Sequence, residues 1–98
     1  MLDEIVNAIH NKTLITLNYY PGIRVIEPHA IGWSKEKNLL LRAYQRSGAS
    51  ASGEHAHWKL FRIDRAGALE RLLEQFVGPR PQYNRVDPAM RGGMIARL

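Results

Sequence analysis

The stretch Trp58-Lys-Leu-Phe-Arg-Ile-Asp-Arg65 limits the possible folds of this chain more than any other. Phe61 and Ile63 alternate with Arg62 and Asp64, the period-two pattern of a strand with one apolar face. The opposite face carries Trp58, Leu60, Arg62 and Asp64, so it is mixed rather than cleanly polar. A face of that kind is either a solvated surface with a local ion pair or one wall of an anion-binding groove. The neighbouring elements bear on the choice.

Leu2 to Asn11 reads as a short helix, with Leu2, Ile5, Val6 and Ile9 on one stripe. Asp3 and Glu4 sit in its first turn, where they complement the helix dipole. Thr13 to Tyr20 is expected to be the first strand, with Ile15, Leu17 and Tyr19 on one face. Pro21-Gly22 is a turn signal leading to a second strand, Ile23 to Trp33. Pro28 inside that run predicts an edge, a bulge or a bend. A long strand bent at its middle is how a small barrel passes from one sheet to the next. Ser34 to Asn38 is a polar turn.

Leu39 to Arg46 reads as the third strand. Leu39, Leu41 and Ala43 share one side, and Leu40, Arg42, Tyr44 and Arg46 the other. Arginine alternating with tyrosine can meet an anion and a flat ring together, or it can be a tyrosine lying on an arginine stem at the surface. Ser47 to Ala56 is a small-residue loop without the spacing of a phosphate-binding glycine loop. Leu69, Leu72, Leu73 and Phe76 have helical spacing, and a final strand over about 68–74 is the alternative. Gly78-Pro-Arg-Pro breaks regular structure. Asp87 and Pro88 could cap and open a short helix that Gly92-Gly93 stops. Met94 to Leu98 is expected to be disordered or docked on a partner subunit.

A chain of 98 residues makes one domain. The expected organisation is a barrel over residues 1–76, followed by a basic Pro/Gly-containing arm over 77–98. The charge distribution supports that division. Residues 1–76 carry ten Lys/Arg against eight Asp/Glu, whereas 77–98 carry four arginines against Asp87 alone. The net charge of +5 favours polyanionic partners without saying anything about the fold. The absence of cysteine excludes disulfides and thiolate metal sites. His55 and His57 form an H-x-H pair with no third ligand nearby, so no metal or other cofactor is expected. No nucleophile, base and orienting group stand together, which argues against an enzyme. No apolar run reaches transmembrane length, and the acidic Met1-Leu-Asp-Glu-Ile start is not a signal peptide; a cytoplasmic location is expected.

A helix, four short hairpin-connected strands and a final short element suggest a small Sm-like or SH3-like β-barrel of about five strands, mainly β, with an N-terminal helix and an irregular C-terminal extension. From about Ile5 to Phe76 the chain resembles the WYL domain, a bacterial ligand-sensing barrel. The resemblance rests on Leu17-Asn-Tyr19, Arg24-Val-Ile-Glu-Pro28, Leu39-Leu-Leu-Arg-Ala-Tyr44 and Phe61-Arg-Ile-Asp-Arg65. Leu39-Leu40-Leu41 stands where the family has Trp-Tyr-Leu, and Ala66 where it usually has isoleucine. The resemblance implies a strand over 68–74. It also implies a non-catalytic, regulatory module with an arginine-lined pocket for a nucleic acid or nucleotide-like ligand. No helix-turn-helix precedes residue 13, so the module is expected to stand alone, as a natural single domain or a piece of a longer protein.

On this reading Tyr19, Arg24, Arg42, Tyr44, Arg62 and Arg65 form the binding groove. Arginine supplies bidentate phosphate contacts and tyrosine a stacking face. The partner is then single-stranded DNA, RNA or a nucleotide. The alternative is a structural subunit that oligomerises through strand edges or the 77–98 arm.

Overall fold

A computed structural model describes all residues 1–98. The fold is mainly β: one N-terminal helix and a six-stranded antiparallel sheet. Helix α1 spans Leu2–Asn11 and buries Ile5, Ala8 and Ile9 against the sheet. It ends where Lys12 turns left-handed, with φ 53°, and returns its N–H to the carbonyls of Ala8 and Ile9.

The strands are β1 (Thr13–Tyr19), β2 (Gly22–Trp33), β3 (Leu39–Gly48), β4 (His57–Arg62), β5 (Leu69–Gln75) and β6 (Gly93–Arg97). Their order is β4-β3-β2-β1-β5, with β6 also on β2. The long strand β2 makes this possible. Its first part pairs with β1 from Gly22 to Ile26, and its last part pairs with β6 from Ala30 to Trp33. The handover lies at Pro28, where the register against β3 shifts between Pro28 and Ala30. Proline has no N–H for the ladder, so the expected irregularity falls there. No ladder joins β4 to β5, so the curved sheet does not close into a barrel.

Inside the curve Ile15, Leu17, Ile26, Ile31, Leu41, Ala43 and Phe61 meet Ile5, Ala8 and Ile9 of the helix. The alternation read from β3 and β4 holds: Leu41, Ala43 and Phe61 point in, while Arg42, Tyr44 and Trp58 are on the other side. Two expectations need correction. The strand beginning at Trp58 stops at Arg62, and Ile63–Arg65 form a 3-10 turn, so Arg65 leaves the sheet. Residues 69–75 are a strand, the alternative that the resemblance implies, despite their helical leucine spacing. A register shift against β1 lies between Thr13 and Ile15, and it leaves Leu73 fully exposed.

The second correction concerns the C-terminal segment, which is neither disordered nor free. Asp87 accepts the Ala89 N–H at 3.0 Å and opens a single 3-10 turn over Pro88–Met90. Gly92 then passes so close to β2 that a Cβ would lie 2.1 Å from the Ser34 carbonyl oxygen. The chain continues as the sixth strand, and Ala96 joins the main core. Met90 packs with Ala30 and Leu40 on the outer face of the sheet. The arm is thus part of the same folded unit.

Candidate functional site

The outer face of β2, β3 and β4 carries the side chains most relevant to binding. Glu27, Tyr44 and Trp58 lie in one cross-strand row, and Ala30, Arg42 and Leu60 in the next. Residues 76–90 run back across these rows. The resulting contacts are aromatic and ionic together.

His29 is the centre of the aromatic part. It is wholly buried, its ring 4.7 Å from Trp58, 5.0 Å from Tyr83 and 5.6 Å from Phe76. Trp58 and Tyr83 are near-parallel at 6.0 Å, and the Trp58 Nε1–H donates to the Pro81 carbonyl at 3.2 Å. The backbone N–H of Arg80 donates to His29 Nε2 at 3.1 Å. Nε2 must therefore be the unprotonated nitrogen, and Nδ1–H donates to the Glu27 carbonyl at 2.8 Å. Burial holds the imidazole below its ordinary pKa. The Tyr83 hydroxyl donates to the His29 carbonyl at 3.2 Å, and burial pushes it above the usual phenol value.

Two carboxylates carry the ionic part. Glu27 is 1% exposed and accepts from Arg80 at 2.9 and 2.8 Å and from Arg46 at 2.9 Å. Burial alone would raise its pKa, but the Arg80 and Arg46 hydrogen bonds outweigh burial and hold it below the ordinary carboxylate value. Arg46 also reaches Glu74, and the Arg80 guanidinium lies 4.3 Å from the Tyr44 ring centroid. Asp87 takes both Arg42 Nε (2.8 Å) and Nη2 (3.3 Å). Burial opposes its ionisation too, and the bonds from Arg42 and the Ala89 N–H overcome it.

Between this face and the arm is a cleft of about 210 Å³, walled by Arg42, Trp58, Gln82, Tyr83, Asn84 and Asp87. Comparison with protein-family models, curated proteins and solved structures finds no match to this chain. Function must be argued from the site itself.

Of the six residues expected to form the groove, the fold brings Arg42 and Tyr44 together on the outer face. Arg62 shares that face but pairs with Asp64 at 3.1 and 2.6 Å. Arg65 is exposed on the 3-10 turn beyond the strand. Arg24 and Tyr19 are on the other side of the sheet. Arg24 pairs with Leu17 and is 4% exposed. Its guanidinium donates to the carbonyls of Tyr19 and Tyr20, at 3.0 and 2.6 Å, and to Gln45 Oε1 at 3.3 Å. The rings of Tyr19 and Phe61 flank it. The alternation of β2 already placed Arg24 with Ile26, and Ile26 is core. Arg24 therefore closes one end of the core rather than facing a ligand. The Tyr19 hydroxyl is engaged as well, accepting the Arg62 N–H at 3.3 Å.

The sequence reading missed His29, Glu27, Arg80, Tyr83 and Asp87. Their signal was polar residues at strand positions flanking Pro28, matched by opposite charges in the arm. No group of three or more His, Cys, Asp or Glu capable of holding a metal is present, and no helix is long and apolar enough to cross a membrane.

The Arg42–Asp87 pair gives a direct test of arm docking. Arg42→Ala leaves a buried carboxylate unpaired and should cost about 1.5–3 kcal/mol in urea unfolding. Asp87→Asn keeps an oxygen for the Ala89 N–H and should cost less. The double variant should cost less than the sum of the singles, because each single already removes the shared interaction.

Proposed function

We propose that this chain is a non-catalytic, regulatory binding module for a nucleic acid or nucleotide-like anion, held in the cleft between the outer sheet face and the arm. The observation that carries this reading is the lining of that cleft. A half-buried indole, a tyrosine ring and an arginine converge there with the side-chain amides of Gln82 and Asn84 at the rim. Rings supply stacking, amides can read the polar edge of a base, and Arg42, with Nε and Nη2 on Asp87, keeps Nη1 for an anion. The resemblance to WYL domains supports the same class of ligand, although the site differs from the groove first expected. Arg42 and Tyr44 stay in or beside it, while Arg24 is buried on the other side of the sheet and Tyr19 packs against the core there.

The test is fluorescence anisotropy with labelled short single-stranded DNA and RNA, on wild type and Trp58→Ala, with folding checked by circular dichroism. The expected result is binding at micromolar or tighter affinity that weakens steeply between about 50 and 200 mM salt. Loss of the indole should weaken it by about tenfold or more, the worth of one stacked base. No binding by wild type at low salt, or unchanged binding by a folded Trp58→Ala, sinks the reading.

A second reading has its own observation. Strand β5 pairs only with β1, and Leu73 and Val77 beside that free edge are fully exposed. An uncovered strand edge with apolar neighbours favours association by strand addition. Light scattering on the same samples separates the two, since assembly through this edge would raise the mass without any nucleic acid.

A further inference from the structure

The arm contains a charge imbalance that the fold does not resolve. Its one acidic side chain, Asp87, is 4% exposed and committed to Arg42 on the sheet. Of its four arginines, only Arg80 has an acidic side chain as partner, Glu27. Arg85, Arg91 and Arg97 have none. They nevertheless do not all hang free. Arg97 Nη1 donates to the Arg85 carbonyl at 2.9 Å, and Arg85 Nε donates to the main-chain oxygen of Leu98 at 2.8 Å. This reciprocal bracing holds Arg97 by one of its donors and leaves the rest of its fork available. An arginine held in place before binding loses less side-chain entropy when it binds.

Arg91 and Arg97 line a second cleft, of about 280 Å³, with Met90 and Met94 among its apolar neighbours. Two cations lining one cleft beside thioether side chains, with no acidic side chain paired to either, make that cleft electropositive and favour an anion there. Asp87 also borders this cleft, but both its oxygens are turned to Arg42. The residues Asp87 and Pro88 are common to this cleft and to the Trp58–Tyr83 cleft, so the two lie on either side of one wall.

We infer that the Arg91/Arg97 cleft is a phosphate-binding subsite, serving a ligand whose ring lies across the Asp87–Pro88 wall against Trp58. The inference rests on the binding reading above only for the ring half. The phosphate half stands on the unpaired arginines. Phosphate is the fitting anion because its oxygens can accept from two guanidinium forks at once. The phosphate comes either from a free nucleotide or from a nucleic-acid backbone, and the two are told apart by the probes.

The experiment is calorimetric titration of the full chain at low salt with inorganic pyrophosphate, adenosine triphosphate and a short single-stranded DNA. Wild type is compared with Arg91→Gln/Arg97→Gln and with Lys35→Gln/Arg71→Gln, which removes two exposed charges elsewhere. The expected result is pyrophosphate binding that falls by about tenfold or more in the arginine pair variant, the worth of a charged hydrogen bond, and by much less in the control. Equal weakening in both variants would mean that net charge alone attracts the anion, and would overturn the subsite. So would unchanged affinity in the arginine variant. Trp58→Ala keeps the two claims separate. If pyrophosphate needs Arg91 and Arg97 but the triphosphate is insensitive to Trp58, the phosphate subsite stands and the ring cleft fails. If DNA binding needs Trp58 but not the arginines, the subsite fails and the ring cleft stands. Tighter binding of the triphosphate than of DNA assigns a free nucleotide, and the reverse order a backbone.

Discussion

Phe61→Ala is expected to lower the unfolding free energy by about 3–5 kcal/mol, seen as a shift of the urea midpoint at unchanged m-value. Phe61 is 1% exposed and stands where the sheet and helix meet. Its ring lies edge-on to Tyr19 at 4.9 Å and 5.4 Å from the Arg24 guanidinium carbon. Truncation therefore does two things. It opens a cavity that the surrounding β-branched and leucine side chains cannot close, and it removes one of the two rings that cover a buried charge. Arg24 has carbonyls rather than a carboxylate as partners, and burial lowers its pKa although the group stays charged. Total stability for a domain of this size is of the order of 5–15 kcal/mol, so the loss is a large share of it. Leu60→Ala changes the next residue of the same strand, on the opposite face and 40% exposed. It should move the midpoint by about 0.5 kcal/mol or less. A comparable loss at both positions would contradict the assignment of inner and outer faces.

Acidification from pH 7 to 5 is expected to loosen the arm before it unfolds the core. His29 has a folded pKa below its ordinary value of about 6.5. In the window between the two values the unfolded chain binds a proton that the folded chain does not, so stability falls as pH falls. The geometry says where the loss is felt. A proton on Nε2 turns the acceptor of the Arg80 N–H into a donor, and that 3.1 Å bond must break. The charged groups facing the ring are Glu27 on its own strand and Arg80 on the arm; Tyr83 on the arm also packs against it, and Trp58 and Phe76 complete the enclosure. Glu27 favours the imidazolium and Arg80 opposes it, but burial is the larger influence. Glu27 and Asp87 are held below the ordinary carboxylate values, so their contribution is present above those values and lost only at lower pH. The carboxylate loss therefore begins at lower pH than the His29 loss.

Hydrogen exchange reads the effect. Corrected for intrinsic rates, the amides of Arg80, Gln82 and Tyr83 should exchange faster from pH 7 to 5 while Leu41 and Phe61 stay protected. His29→Phe keeps a ring in the cluster but cannot titrate. It should leave the Arg80 N–H without its acceptor, costing about 1–3 kcal/mol at neutral pH, and remove the acceleration of arm exchange from pH 7 to 5. A wild-type slope retained in His29→Phe would show that another group is responsible. Because the arm forms one wall of the proposed binding cleft, ligand affinity should fall over the same window.

The helical spacing of Leu69, Leu72, Leu73 and Phe76 shows how a real pattern can mislead. Leu69 faces inward beside Leu17, and Phe76 is buried, but the irregular pairing between them leaves Leu73 in solvent. An irregular strand breaks period two and can imitate the helical period. The hairpin strands β1 to β4 were easier to read, because local alternation and the turns at Pro21-Gly22 and Ser34–Asn38 are sufficient signals. Pro28 was legible for the same reason: a missing N–H disturbs the ladder wherever the residue falls.

The site was less legible. The arginines were visible, but their partners were not. Arg62 finds Asp64 two residues away, a pairing that sequence proximity suggests. Arg42 finds Asp87 at a separation of 45 residues, and Arg80 finds Glu27 at 53. The order of residues alone determined a small, mainly β unit with one amphipathic helix and a basic C-terminal segment, since each of these follows from side-chain periodicity and charge along the chain. Only the tertiary structure decided that the segment folds back over the sheet, that Arg24 belongs to the core, and that Arg91 and Arg97 remain without acids. Whether a charge is free depends on distances through space, and those exist only once β2 has bent and β6 has paired beside it.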